Sequence, residues 1–561
     1  MKKAPVRDIP KITSFKDIVL AMAERDKTAY ILPKGKELVH LSYKDFYAMT
    51  LRLAKGITAV GLAGKRVAVI GETSPEWVAT YLAVVVTGGV IVPMDKELAI
   101  GEIEGFLASV EAEAIVYSAH FNGKFDAAMA EHPSLRLFVP MAPAEGTEGE
   151  KILPLATLLE KGDALEDFTL PERDPNAMST MLFTSGTTGT SKCVMLCERN
   201  IISSVNAALA SVDFSGVDTT VSVLPLHHTY ELTIMMCKLA LGMTVGINDS
   251  LRHIMRNFAN IQPTGLILVP LFVNTMYKKI WDEAKKKKKD KLLRRMIPVS
   301  NGLRKVGIDL RRTFFKSVLA AFGGKLTKIV CGGAALNPEM VKGFEAFGIQ
   351  ICEGYGITEC SPLIAVTPYW APKRGSVGPA VPGCTARIAS QGKNDKGFDE
   401  GEIQVKGDNV MLGYYNNDAA NADAFTEDGW YRTGDIGYMD NDGYIFITGR
   451  MKSVIVLENG KNVFPEEIEE YLENMEGVAE CVVVGRKGED GETVNLTALI
   501  YPNKDAFPED ADKETIYNTL YQRITELNRK LPSFKKIKGL ELRDEEFEKT
   551  TSRKIKRHLV K

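Results

Sequence analysis

Short apolar runs recur through the first 350 residues: VAVIG (67–71), VIVPM (90–94), AIVYS (114–118), MLFTS (181–185), VSVLPL (221–226), LILVP (266–270) and KIVCGG (328–333). Longer stretches with helical spacing of apolar positions separate them. Such alternation predicts an α/β fold with largely parallel sheets. The stretch KRVAVIG (65–71) followed by the uncharged run Trp77 to Met94 reads as strand, helix, turn at Gly88–Gly89, and strand Val90–Ile91–Val92, a βαβ unit. That run of 18 residues reaches only the lower edge of membrane-spanning length, roughly 17–25 residues, and its glycines and Pro93 break it.

After about residue 375 the texture changes to glycine-punctuated β segments, GSVGPAVPGCTARI, GEIQVKG and IGYMDNDGYIFITG, expected to form antiparallel hairpins. Asp440-Asn-Asp-Gly443 is a turn signal. As a calcium loop it fails, because the first and twelfth positions would be Tyr438 and Gly449. From 451 onward strand-like and helical patterns mix again (SVIVLENG, PEEIEEYLENM, CVVVGRK, LTALIYP, then an amphipathic helix near 513–531). The division expected is 1–450 for a large N-terminal part and 451–561 for a small α+β domain. The short joint at Arg450–Ser453 has the geometry a hinge needs.

Composition adds exclusions. With 45% hydrophobic and 25% charged residues the 561-residue chain is globular. Its 70 basic and 72 acidic residues leave a net charge of −2, against a nucleic-acid binder. Eight cysteines without a CxxC pair fit buried thiols in a reducing compartment, the cytoplasm, rather than disulfides or zinc. The N-terminus starts basic but lacks the apolar stretch of a secretory signal. The tract Lys285–Lys289 with Lys291, Arg294 and Arg295 reads as a solvated basic helix, with peripheral contact to a membrane surface as the alternative.

The most informative stretch is MLFTSGTTGTSK (181–192), where a β-run ends in Thr, Ser and Gly residues closed by Lys192. Glycines turn backbone N–H groups toward an anion, hydroxyls add donors, and the lysine adds charge, as a polyphosphate requires. A Walker A loop is excluded, because Ser191 precedes the lysine and Cys193 follows it. Three further segments follow. Glu353-Gly-Tyr-Gly-Ile-Thr-Glu359 offers an aromatic face, small residues including Gly356, a hydroxyl, and a carboxylate able to anchor Mg²⁺ beside phosphates. Gly429-Trp-Tyr-Arg-Thr-Gly-Asp435 ends in an acid suited to ribose hydroxyls, and Thr448-Gly-Arg450 supplies a cation. Each alone could be a solvated turn; four in this order are not chance.

Together these segments resemble the adenylate-forming superfamily of acyl-CoA synthetases, firefly-type luciferases and peptide-synthetase adenylation domains. The resemblance implies a large N-terminal domain of stacked α/β sheets plus a β-barrel, and a small mobile C-terminal domain. It implies that Thr184, Ser185, Gly186, Thr187, Thr188, Gly189 and Lys192 bind the β- and γ-phosphates of ATP. Gly332, Gly333 and Ala334 would line the adenine and acyl pocket, and Tyr355, next to Gly356, would stack on adenine. Thr358 would touch the α-phosphate, Glu359 would hold Mg²⁺, and Asp435 and Arg450 the ribose. The catalytic lysine of the family's last motif falls on Lys554, although Arg553 and Glu548 stand where glycine and proline are usual. The family's hinge falls on Lys452, and its substrate-side histidine on His228 within LPLHHTYE (224–231). Ser191 and Cys193 depart from the usual proline and glycine of the phosphate loop.

Val269–Ile280 with the segment that follows to about 324, GGAAL (332–336), EGYGITECSP (353–362) and NGKNVFP (459–465) look like the long-chain acyl-CoA synthetases. The activity implied is ATP-dependent activation of a medium- or long-chain fatty acid through acyl-AMP, then transfer to coenzyme A. Two alternatives stay open here: an acyl carrier protein as acceptor, and a non-catalytic nucleotide- or acyl-binding relative.

Overall fold

The computed structural model describes residues 9–35, 37–125, 132, 134–144, 149–184, 191–457, 462–487, 494–508, 510–549 and 555–560. Two compact units form. The first takes the chain up to Thr184, then Lys192–Thr385 and Val405–Asp423; the second takes Ala386–Gln404 and the chain from Ala424 onward.

In the first unit each of the seven apolar runs contributes to a strand, and the strands fill three sheets. The largest has seven, in spatial order Gly413–Tyr414, Lys192–Cys197, Met178–Thr184, Val90–Met94, Arg66–Ile70, Ala114–Tyr117 and Leu137–Pro140. From Met178–Thr184 to Leu137–Pro140 the neighbours are parallel; the two strands on the other edge are antiparallel. A second sheet orders Glu37–Ser42, Thr28–Lys34, Thr244–Ile247 and Thr219–Ser222, and a third Gly265–Leu268, Lys328–Gly332, Gln350–Gly356 and Leu363–Val366. Each of these also carries one antiparallel edge strand, joined to its neighbour by a short link rather than a crossover helix.

Helix Pro75–Val86 shows why the uncharged run folds as it does. Ser74 caps it by accepting the Trp77 N–H at 3.2 Å, and Pro75 occupies the first turn, where its missing N–H costs nothing. Its residues are buried all round apart from Glu76, so the run is a core helix. Gly88 then takes φ +81°, and a Cβ on Gly89 would lie 2.9 Å from the Lys65 carbonyl oxygen, so this turn into Val90–Met94 needs glycine. Among the described residues no helix is long and apolar enough to cross a membrane.

The second unit holds most of a four-stranded sheet ordered Cys384–Lys393, Asp399–Gly407, Tyr431–Met439 and Ile445–Arg450. Asp440 makes the last hairpin turn: its Oδ1 accepts from the Asp442 and Tyr444 N–H groups, both at 3.0 Å, and Gly443 has φ +83°. A separate sheet pairs Val478–Lys487 antiparallel with Val494–Pro502, which pairs parallel with Gly539–Leu542. The parallel step is spanned by helix Lys513–Asn528, capped by Asp512. Helix Pro465–Glu473 contributes Ile468 and Leu472 to a core with Val483, Ala498 and Leu520.

Candidate active site

Thr184 ends one strand of the seven-stranded sheet and Lys192 begins the next, and the two stand opposite each other in an antiparallel pair. The phosphate segment therefore begins and ends at paired residues. Of its residues Ser185, Gly186, Thr187, Thr188 and Gly189 lie outside the described residues. Thr184 Oγ1 donates to the Lys192 carbonyl at 3.3 Å, fixing the hairpin neck. Alternation along a strand sends Lys192 and Cys193 to opposite faces. Cys193 goes into the core, where burial pushes its thiol up to about 12. Lys192 keeps its ammonium 4.7 Å from the centre of the Tyr414 ring.

Tyr414 comes from the edge strand that pairs with Lys192–Cys197, opposite Val194. Its hydroxyl donates to Glu359 Oε1 at 2.8 Å. Lys192, Tyr414 and Glu359 thus form one line, from a candidate phosphate-binding cation to a candidate metal-binding carboxylate.

The Glu359 segment leaves the carboxyl end of strand Gln350–Gly356, where parallel sheets place their ligand sites. Its path is fixed by buried hydroxyls and one amide. Thr233 Oγ1 donates to the Ser361 carbonyl at 2.9 Å, Ser204 Oγ to the Cys360 carbonyl at 3.3 Å, and the Met411 N–H to the Glu359 carbonyl at 2.8 Å. Thr358 Oγ1 accepts from Thr229 Oγ1 at 3.5 Å. At Gly356 a Cβ would lie 2.1 Å from the Pro362 carbonyl oxygen, so only glycine lets the chain pass. Gly332 stands opposite Gly354 on the neighbouring strand; beyond it Gly333 (φ +94°) and Ala334 are exposed, whereas the Tyr355 ring is buried.

His228 precedes helix Thr229–Leu241 and packs on His227, with ring centres 4.2 Å apart. His227 Nε2 lies 3.5 Å from Asp95 Oδ2, at the carboxyl end of strand Val90–Met94. Burial, with the charges of His228 and Lys96, pushes His227 well below the ordinary histidine value, so it is neutral at neutral pH. In the same helix Glu231 and Lys238 form a fully buried ion pair at 2.6 Å, joined by Ser222.

The second unit brings Asp435 and Arg450 together as cross-strand partners, with a 3.0 Å ion pair between a buried carboxylate and a half-exposed guanidinium. Lys452 follows in the single turn Met451–Ser453. Lys554 lies outside the described residues. Next to it Ile555 bridges Lys549, and Arg557 pairs with Glu469 and Glu466 of helix Pro465–Glu473. Among the described residues there is no cluster of three or more His, Cys, Asp or Glu side chains able to hold a metal ion. A single anchored carboxylate such as Glu359 still suits Mg²⁺, which takes one or two carboxylates and completes its shell with phosphate oxygens and water.

Sequence reasoning missed Tyr414 and the His227–Asp95 approach. The signal for Tyr414 was Gly413-Tyr-Tyr415 after an apolar pair, but nothing local says that it joins a sheet more than two hundred residues upstream.

The profile of the family described as AMP-binding enzyme matches residues 20–415, and that of the AMP-binding enzyme C-terminal domain matches 452–561. The chain is 29% identical to the long-chain-fatty-acid–CoA ligase FadD15 of Mycobacterium bovis, covering 77% of this chain and 73% of the relative. It is 30% identical to the mouse (Mus musculus) long-chain-fatty-acid–CoA ligase 6, covering 82% and 68%. Among solved structures, ATP-bound MatB from Rhodopseudomonas palustris aligns with a TM-score of 0.74 at 24% identity, over 98% of both chains. That likeness speaks for the fold alone.

Proposed function

This chain belongs to the AMP-binding enzymes, and on that footing we propose that it activates a medium- or long-chain fatty acid with ATP and transfers the acyl group to coenzyme A. The observation that carries this reading is the line Lys192–Tyr414–Glu359, which ties the phosphate hairpin to the glutamate of the EGYGITE segment. The division 1–450 and 451–561 goes with it as two mechanical parts, hinged at Lys452. So does a cytoplasmic setting, which fits eight free thiols.

In the first reaction a carboxylate oxygen bonds to the α-phosphorus while the bond from that phosphorus to the bridging oxygen breaks, giving acyl-AMP and pyrophosphate. Two anions meet, so cations must stand where charge gathers. Lys192 and the loop from Thr184 to Gly189 hold the β- and γ-phosphates, Lys554 meets the reacting α-phosphate, and Thr358 donates to it. Asp435 accepts from the ribose hydroxyls and Arg450 orients it. Glu359, held by Tyr414, binds Mg²⁺, whose charge offsets that of the phosphate oxygens when bound. Gly332 to Ala334, Tyr355 and Gly356 line the base and acyl side, and His228 faces the acid. In the second reaction the thiol sulfur bonds to the acyl carbon, the bond to AMP breaks, and the thiol proton passes to solvent. One site serves two reactions when the part carrying Lys554 moves about Lys452 between them.

Hydroxamate trapping over acids of graded length tests activity and chain preference together; silence across the panel would overturn the reading. Lys554→Ala is expected to abolish acid-dependent pyrophosphate exchange while sparing thioester formation from synthetic acyl-AMP. Normal exchange in that variant would remove the lysine from its role.

A further inference from the structure

Charge and exposed apolar surface gather in one place. Residues 285–305 hold ten basic side chains and one acidic one, in a chain whose net charge is −2. They belong to the end of helix Pro270–Lys286, the turn 287–289, where Lys288 takes φ +54°, and helix Asp290–Lys305. All five lysines of 285–289 are exposed. The second helix faces the core with Leu293, joined by the partly buried Met296 and Ile297, and its Ser300 is also buried. Its outer face carries Lys291, Leu292, Arg295 and Val299, spaced so that apolar and basic side chains alternate over two turns. Leu292 is 54% and Val299 57% exposed, and the chain beyond the helix adds Val306 at 72%, Ile308 and Leu310. Five of the seventeen exposed large apolar side chains among the described residues thus fall within nineteen positions.

We propose that this face is a docking surface for an anionic lipid bilayer. Charge complementarity selects the partner. The lysines reach the headgroup layer with flexible, strongly hydrated cations, while Leu292, Val299 and Val306 are placed to enter the acyl boundary beneath it, as an interfacial amphipathic segment does. Nucleic acid would use the same cations but offers nothing to branched aliphatic side chains projecting between them. The inner anchor makes the surface rigid. Val273, Met276 and Ile280 on one helix and Leu293 on the other join the core that also holds Leu268 and Ile329 of the third sheet, so docking requires no unfolding. Helix Pro270–Lys286 also ties the surface to the nucleotide side. It begins beside Val269, whose Cγ1 would lie 3.5 Å from a Cβ on Gly333, and ends in the lysine turn 17 residues later. A membrane-held acid would then enter from the side on which the enzyme rests.

The docking stands apart from catalysis, and so does its test. The full chain is sedimented with phosphatidylcholine vesicles and with vesicles containing one-third phosphatidylglycerol, at low and at raised salt. Binding to the anionic vesicles alone, weakened by salt, is expected. Leu292→Gln with Val299→Gln should lower the bound fraction at least fivefold, and Lys286→Glu with Lys289→Glu at least tenfold. Both double variants should keep wild-type turnover of a short, water-soluble acid, which separates lost docking from lost folding or lost chemistry. Absence of binding at low salt overturns the proposal. So does binding that the charge variant loses and the apolar variant keeps in full, which would assign the surface to a soluble polyanion.

Discussion

Tyr414 links two groups that carry opposite charges and lie far apart in the chain, and one oxygen atom makes the link directional. Removing that oxygen in Tyr414→Phe keeps the ring under Lys192 but frees Glu359 from its donor. One hydrogen bond to a charged group is worth about 1.5 kcal/mol, so pyrophosphate exchange should fall about tenfold. The melting temperature should change little, because Glu359 is only partly buried and water replaces the lost donor. Equal losses in exchange and in stability would make Tyr414 a packing residue only. Cys193 behaves in the opposite way. Its thiol is pushed up to about 12 by burial, so iodoacetamide at pH 8 should leave it unmodified in the folded chain and label it in urea, read by mass spectrometry. The departure from glycine at this position is thereby absorbed by the core.

At the scale of elements, helix Pro465–Glu473 carries a titrating anchor. Glu469 accepts from the Val483 N–H at 2.6 Å and from Arg557, yet burial pushes its carboxyl up to about 7 from an ordinary 4.5. Between those values the folded chain holds a proton that the unfolded chain has released. Stability supplied by this group is therefore complete below about pH 4.5 and lost as pH rises toward 7. Burial shifts Glu467, Glu470 and Glu473 the same way. Urea unfolding followed from pH 5 to pH 7.5 should show stability falling with pH, and Glu469→Gln should flatten part of that slope. An unchanged slope would mean that Arg557 keeps the carboxylate ionised throughout. Gly356→Ala tests an element of the other unit: its Cβ would meet backbone 2.1 Å away, which cannot rotate aside, so a loss of about 3 kcal/mol is expected.

The seven apolar runs of the first unit were legible as strands because each is short and apolar, whereas Thr28–Lys34, Leu137–Pro140, Thr244–Ile247 and Gly413–Tyr414 carry no such signal and went unread. The turn Asp440–Gly443 was legible because its chemistry is local. What the sequence could not show is which distant segments share an edge. Lys192 read as the end of a loop and proves to be the first residue of a strand, since pairing with Thr184 depends on the sheet and not on its neighbours. Asp435 and Arg450 read as two ribose ligands; their registry across a hairpin, which makes them an ion pair, depends on the irregularity between Ile436 and Gly437.

Among the described residues the hydrophobic core is divided, with separate clusters in the two units: those around Val92 and around Leu268 and Ile329 belong to the first, and that around Val483, Ala498 and Leu520 to the second. Unfolding should then depart from a single cooperative transition, with a calorimetric enthalpy above the van't Hoff value. Gly356→Ala should lower one component and Arg557→Gln the other; coincident shifts in both variants would show one cooperative block instead. The first unit is also discontinuous, because strand Gly413–Tyr414 closes an edge whose neighbour, Lys192–Cys197, lies more than two hundred residues earlier. During synthesis at about 5–20 residues per second, that edge waits roughly 10–40 s for its last strand. Throughout that interval the nascent chain displays an unpaired β-edge beside the phosphate hairpin, the kind of surface that chaperones cover and that aggregation exploits. The tyrosine that completes the site is thus also the residue whose emergence from the ribosome ends the exposure.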